Sequence, residues 1–428
     1  MYNHRVIIHK EGAHMDKKAK QASKIIIFLC WAAYTAAYIG RLNYNAYIVE
    51  IISQLGTTKE AAGLVSSFFF FSYGAGQLVH GILSRKYNTR YSVAVALIGS
   101  ALVNVGMTLV PSVSAMKIVW LMNGVFQSIL WSSLIKTLSD RLPDELLSRA
   151  VVVMSTPAAL GTFLAYGLSS LFSAMRADYR WVFYVPAILL AVIGALWFLI
   201  VGRIDSTLTR DGAAAYTPAP KKRPSFTPAF IIGAVFLLFA AISNGFIKDG
   251  VTTWTPSILN ENFHMPESLS ILITLILPLI AIFGAWLSTT LHKRQKNTSV
   301  LNGLLYFVEA AVLLLVIFTA KLKSPVVLIV LFAGSAMLMS AVNNVITSII
   351  PMYMRDRMDS GLLAGVLDTF CYVGSTLSTW LLGRIADVGS WNGVFICLLV
   401  FGAVACVLCW LSVLVGRKKP AQAQSPEA

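Results

Sequence analysis

Between Lys24 and Arg41 the chain runs from Ile25 to Gly40 without a single charge, and eleven further apolar segments of similar character follow. In hydrocarbon no water can satisfy a backbone N–H or C=O, so a spanning segment must satisfy its own, which a helix does. A helix needs about 20 apolar residues to cross a bilayer. The segments lie at about 25–47, 61–83, 91–110, 116–138, 150–173, 181–202, 229–251, 269–290, 299–320, 325–350, 360–382 and 393–416. Each reaches that length, so the expected fold is an all-α membrane protein with twelve transmembrane helices.

Composition agrees. Of 428 residues, 57% are hydrophobic and only 12% charged, against roughly 25% charged in a soluble domain. The formal net charge of +15 would suggest a nucleic-acid partner if it were clustered on one soluble face. It is instead scattered through short loops and tails, which is a topology signal and leaves no role for nucleic acid. With the N-terminus in the cytosol, the inside segments carry 24 of the 34 Lys and Arg residues and the outside loops carry 7. That asymmetry predicts a multi-pass protein of the cell membrane with both termini cytosolic. The run behind the basic N-terminus is too long for a signal-peptide core, although Met15 is an alternative start.

The longest cytosolic break between spans, residues 203–228, contains TPAPKKRPSFTP and reads as a linker. It divides the chain into a basic N-terminus (1–24), a six-helix bundle (25–202), the linker, a second six-helix bundle (229–416) and a tail (417–428). The bundles read as repeats. Val182-Phe183 and Val394-Phe395 are offset by 212, the basic pairs Arg85-Lys86 and Lys293-Arg294 by 208, and the deepest cations, Arg41 and Lys248, by 207. Parallel six-helix repeats place a substrate site at their interface near the midplane.

Polar residues inside the spans are the candidates for that site. Arg41 lies roughly 24 Å along its helix from Lys24 at 1.5 Å per residue, where a charge is costly unless it faces a protein interior or a wet cavity. Tyr34, Tyr38, Arg41 and Asn45 share one face at spacings of four and three. Lys248 and Asp249 are about 100° apart on their helix, so at most one is expected to point straight into a cavity, and Lys248 is the repeat partner of Arg41. Asp368 either carries a proton, pairs a cation or contacts a cationic substrate group, with Gly361, Gly365 and Gly374 permitting close packing of the same helix. Gln127 and Trp131 either line a cavity or pack, and Asn343 or Asn344 is expected to face it. No metal-binding, phosphate-loop or catalytic-triad motif is present, and the five cysteines, Cys406-x-x-Cys409 included, fall in apolar stretches. Neither an enzyme nor a cofactor is expected.

Across essentially all twelve spans the chain resembles the major facilitator superfamily, and within it the organophosphate:phosphate antiporters, the glycerol-3-phosphate and hexose-phosphate transporters. AYIGRLNYN is similar to that family's span-one arginine motif, GVFQSILW (124–131) to its GWFQGMGW stretch, and KDGVTTWTPSIL (248–259) to its RYG-x-x-x-W-S-P segment. DYRWVFYVPA (178–187) matches as well. The resemblance implies that Arg41 and Lys248 hold a substrate phosphate and that Tyr34 and Tyr38 shape its pocket. Leu42 stands where the family has a lysine, Ala158 where the glycerol-3-phosphate branch has a histidine, and Arg85 and Thr289 where loop acids are expected. Lys248 in place of arginine keeps a point charge and loses bidentate geometry. The expectation is thus a monomeric secondary transporter in the lipid bilayer that moves a small organic anion by alternating access. A phosphorylated metabolite exchanged for phosphate leads. Proton-coupled transport of a carboxylate or zwitterion through Asp368, and a non-transporting organophosphate sensor, remain as alternatives.

Overall fold

A computed structural model describes residues 17–83, 88–110, 112–142, 144–154, 156–208, 228–319, 324–354 and 360–417. Twelve long helices carry the fold. They are α1 (Lys17–Ala46), α2 (Lys59–Leu83), α3 (Thr89–Leu109), α4 (Val113–Ser128), α5 (Pro157–Ala174), α6 (Trp181–Leu208), α7 (Pro228–Phe263), α8 (Ile276–Arg294), α9 (Thr298–Thr319), α10 (Pro325–Asn344), α11 (Ser360–Val388) and α12 (Trp391–Arg417). Among the described residues, ten helical stretches are long and apolar enough to cross a membrane; α5 and α11 complete the twelve expected spans as helices. The chain is a multi-pass membrane protein. Most of the 203–228 linker, Arg85 and the tail beyond Arg417 lie outside the described residues.

Local chemistry sets the helix ends. The Asn88 side chain accepts from the Arg90 N–H and caps α3, and Ser112 does the same for α4 through the Ala115 N–H. Pro157 and Pro325 open α5 and α10, where a missing N–H costs nothing. Gly56 ends the short helix after α1 with φ of 57°, a left-handed conformation that suits glycine.

The seventh helix runs beyond its expected end near residue 251 to Phe263. TTWTPS looks like a loop because it is polar and contains Pro256. In the fold Trp254, Thr255, Ser257 and Ile258 are all buried, and Thr255 returns its hydroxyl to the Val251 carbonyl, so the segment is protein-packed helix. Three spans break their regular geometry: the eighth is preceded at Leu275 by the separate helix Glu267–Thr274, and the other two are equivalent in the repeat. The fourth is interrupted at Ile129 before Leu130–Arg141, and the tenth passes through a π-helical turn at Val345–Ile349 before Ile350–Tyr353.

Packing repeats at an interval of six helices. Contacts of α1 with α5 and α6, α2 with α4, and α3 with α6 recur as α7 with α11 and α12, α8 with α10, and α9 with α12. Across the two sets, α2 lies along α11 and the residues before α8 lie against α5. Large apolar side chains such as Leu102, Trp286 and Phe318 stand exposed around the outside, a surface matched to lipid. Inside, an asparagine cluster ties the first set together. The Gly40 carbonyl accepts from Asn104 at 3.1 Å and Asn123 at 3.0 Å, and Asn43 donates to Asn104 at 2.8 Å and to the Val182 carbonyl at 2.9 Å. Four helices, α1, α3, α4 and α6, are thereby fixed around the residue that precedes Arg41.

The α2–α11 seam is close. A Cβ on Gly63 would stand 2.0 Å from the Thr379 carbonyl oxygen, so only glycine fits. Ser67 donates to the Thr376 carbonyl at 2.7 Å and Thr369 to the Gly74 carbonyl at 3.2 Å. One end of the seam, where the α1–α2, α7–α8 and α11–α12 connections lie, is clasped by charges. Lys59 pairs with Glu261 at 3.1 Å and Asp387 at 3.6 Å, while the indole of Trp380 donates to Glu60 and that of Trp391 to Glu261, both at 3.0 Å. Gly374 is a packing glycine, since its Cβ would fall 1.8 Å from the Ile242 carbonyl of α7. Gly365, expected to act likewise, faces open space.

Candidate functional site

A cavity of about 220 Å³ lies between the two sets of helices. From the first set it is walled by Tyr38, Arg41 and Asn45 of α1, Phe69 and Phe70 of α2, and Thr162 and Tyr166 of α5. From the second come Lys248, Asp249, Thr252 and Thr253 of α7, Ala281 of α8 and Tyr372 of α11. Cations from equivalent positions of α1 and α7 thus share one space.

Arg41 is held by aromatic faces. Its guanidinium carbon is 3.6 Å from the Tyr38 ring centroid and 5.2 Å from that of Tyr73. Rings over the guanidinium face stabilise it by cation–π attraction. Among the described residues Arg41 makes no ion pair, so its charge is left for a mobile anion.

Lys248 differs. Its Nζ stands 3.8 Å from Asp249 Oδ2, and the Ser375 hydroxyl of α11 donates to that same oxygen at 2.5 Å. Both residues line the cavity, which corrects the expectation that only one of two helical neighbours would do so: the cavity wall spans more than 100° of α7. The Thr252 hydroxyl is spent on the Lys248 carbonyl at 2.8 Å. Asn45 bridges the sets, donating to Thr253 at 3.3 Å and accepting from Ser66 at 2.6 Å. Asp368 is half-buried one turn before Tyr372; it does not line the cavity but lies within electrostatic reach of Lys248, Asp249 and Arg41.

Other candidates lie elsewhere. Gln127 is buried in the first helix set, its amide nitrogen donating to Ser100 at 3.0 Å as an extension of the asparagine cluster, and it does not line the cavity. Trp131 leans on Tyr34 with centroids 4.9 Å apart, and Tyr34 meets Tyr38 edge-on at 5.1 Å. Tyr34 therefore backs the ring that holds Arg41 and does not line the cavity. Asn344 donates to Ser288 at 2.9 Å, tying α10 to α8 outside the cavity wall. Sequence reasoning missed Thr162, Tyr166, Thr252 and Tyr372. Their only signal is spacing, since Thr162 and Tyr166, and Lys248 and Thr252, are four apart on one helix face. Among the described residues no group of His, Cys, Asp and Glu has the arrangement of a metal site.

Residues 30–362 match the family model described as the Major Facilitator Superfamily. The chain is 23% identical over 432 residues to a glycerol-3-phosphate transporter of Bacillus subtilis, a match spanning 95% of this chain and 96% of that protein. It is 24% identical over 443 residues to a probable hexose phosphate transport protein of Chlamydia pneumoniae, 92% of each chain being covered. In structure it is similar to a bacterial homolog of the human lysosomal transporter Spinster, solved in an inward-facing and occupied conformation. The TM-score is 0.69 at 13% identity, covering 94% of this chain and 99% of that one.

Proposed function

The chain belongs to the Major Facilitator Superfamily, and from that footing we propose that it is a secondary transporter exchanging a phosphorylated metabolite for phosphate by alternating access. One observation carries the reading: Arg41, free of ion pairs among the described residues, shares a cavity with Lys248, its counterpart in the second helix set. An anion held by both cations bridges α1 and α7, and so favours the arrangement in which the two sets approach. The full-length likeness to organophosphate transporters supports a phosphate ester as that anion. The helix sets act as two bodies, residues 25–202 and 229–416, joined by a cytosolic linker. With both termini in the cytosol of a cell-membrane protein, the clasped end faces outside. One chain builds the whole cavity wall, so a monomer suffices.

Proton-coupled movement of a carboxylate is the second reading, favoured by Asp249 at the cavity wall and Asp368 behind it. The deciding experiment uses purified protein in vesicles loaded with labelled phosphate. External glycerol-3-phosphate and hexose phosphates are expected to release the label, and carboxylates are not. Binding of these esters without release of label would make the chain a sensor, and release only with a pH gradient and a carboxylate would favour the second reading.

A further inference from the structure

A site that holds a phosphate ester with two cations would carry two positive charges if nothing opposed them. Here a carboxylate opposes one of them. Lys248 and Asp249 are consecutive on α7, both face the cavity, and their charged atoms are 3.8 Å apart. Ser375 of α11 fixes the Asp249 carboxylate from the far side. Because the two residues share one helix, no rigid movement of the helix sets can separate them, and any phosphate that approaches Lys248 also meets the Asp249 carboxylate. Of the charged groups on the cavity wall, Asp249 offsets Lys248 and Arg41 alone is left over, so the wall carries one net positive charge.

A phosphate ester in its doubly charged form would leave one charge uncompensated in a water-poor space, where unpaired charge is disfavoured. An ester that also carries an ammonium group brings less, and its two ends meet complementary partners. The unpaired guanidinium of Arg41 stands on the α1 wall and the carboxylate of Asp249 on the α7 wall. At about 220 Å³ the cavity is smaller than the roughly 300–1,000 Å³ of drug-sized sites, and a short chain fits it best. Resting on the exchange reading above, we infer that the site selects small aminoalkyl phosphate esters, Arg41 taking the phosphate and Asp249 the ammonium group.

The test compares phosphoethanolamine with propyl phosphate, in which a methyl group replaces the ammonium, as competitors in phosphate exchange by the full-length protein in vesicles. Phosphoethanolamine is expected to half-saturate exchange at about tenfold lower concentration, the difference one charge-assisted contact makes. That ratio is expected to fall toward one in Asp249→Asn and to be kept in Asp249→Glu. Exchange that proceeds with equal or better use of propyl phosphate by the unaltered protein would overturn the inference and leave the exchange reading standing. Absence of phosphate exchange altogether would overturn both.

Discussion

Asp387, near the end of α11, accepts hydrogen bonds from the backbone N–H groups of Lys59 at 3.1 Å and Glu60 at 2.6 Å, the first residues of α2. A carboxylate from one helix set thus caps a helix of the other, 328 residues away in sequence. The orphan donors at a helix start are ordinarily satisfied from the same chain segment. Thr58 caps the Ala61 N–H from the same segment at 3.1 Å, but the Lys59 and Glu60 N–H groups have Asp387 as their partner only while the two sets are together.

Removing that cap is expected to favour opening at this end. Losing an N-cap costs about 1–2 kcal/mol, which shifts an open–closed ratio roughly 5–30-fold. With the five native cysteines replaced, a Thr379→Cys variant reports on the seam through its reaction with a membrane-impermeant maleimide added outside. Asp387→Ala is expected to speed that labelling within the stated range. An unchanged rate would mean that the cap does not hold the end shut.

Arg41→Ala is expected to abolish phosphate exchange, by more than about a hundredfold, while expression and folding persist. Two charge-assisted hydrogen bonds account for that magnitude. Arg41→Lys is expected to recover little, because lysine loses the planar fork. Lys248→Arg is expected to retain more exchange than Lys248→Ala. Size-exclusion profiles and vesicle exchange, measured together, separate loss of function from loss of fold.

Gly374→Ala is expected to lower the melting temperature in detergent, since its new Cβ would overlap the Ile242 carbonyl of α7. Backbone cannot yield as a flexible side chain can, and overpacking costs about 1–3 kcal/mol or more. Gly365→Ala, with nothing within 4 Å of its Cβ, is expected to leave the melting temperature unchanged or raise it. Equal effects of the two changes would contradict the close α7–α11 approach.

Asp368→Asn separates the two transport readings. Under exchange, phosphate release survives the change with altered affinity, because the acid stands behind the cavity wall. If protons drive transport, uphill accumulation under a pH gradient disappears while downhill exchange persists. Accumulation by the unaltered protein that is lost only in Asp368→Asn would favour the proton reading.

Arg41 and Lys248 were legible in the sequence because a charge in an apolar run stands out and because both sit at one repeat offset. Nothing in the sequence separated Asn45, which bridges the helix sets, from Gln127, which is consumed by Ser100. Both are amides near the middle of a span, and the partner that decides each role comes from a distant helix. Tyr372 carries no mark at all, being an ordinary residue whose place at the wall follows from how α11 is rotated. The length of α7 was hidden for a related reason: its last three turns are polar, and only the surrounding protein lets them remain helical.

The interruptions at Ile129 and in the Val345–Ile349 turn fall in helices that are counterparts in the repeat, and each lies toward the end opposite the clasp. A helix flexes most readily where its regular ladder of hydrogen bonds is broken. A third interruption, at Leu275 between Glu267–Thr274 and α8, lies toward the clasped end. Joints are therefore built into both ends of the molecule, and what sets the clasped end apart is the latch laid over its joint, the capped and paired charges of Lys59, Glu261 and Asp387.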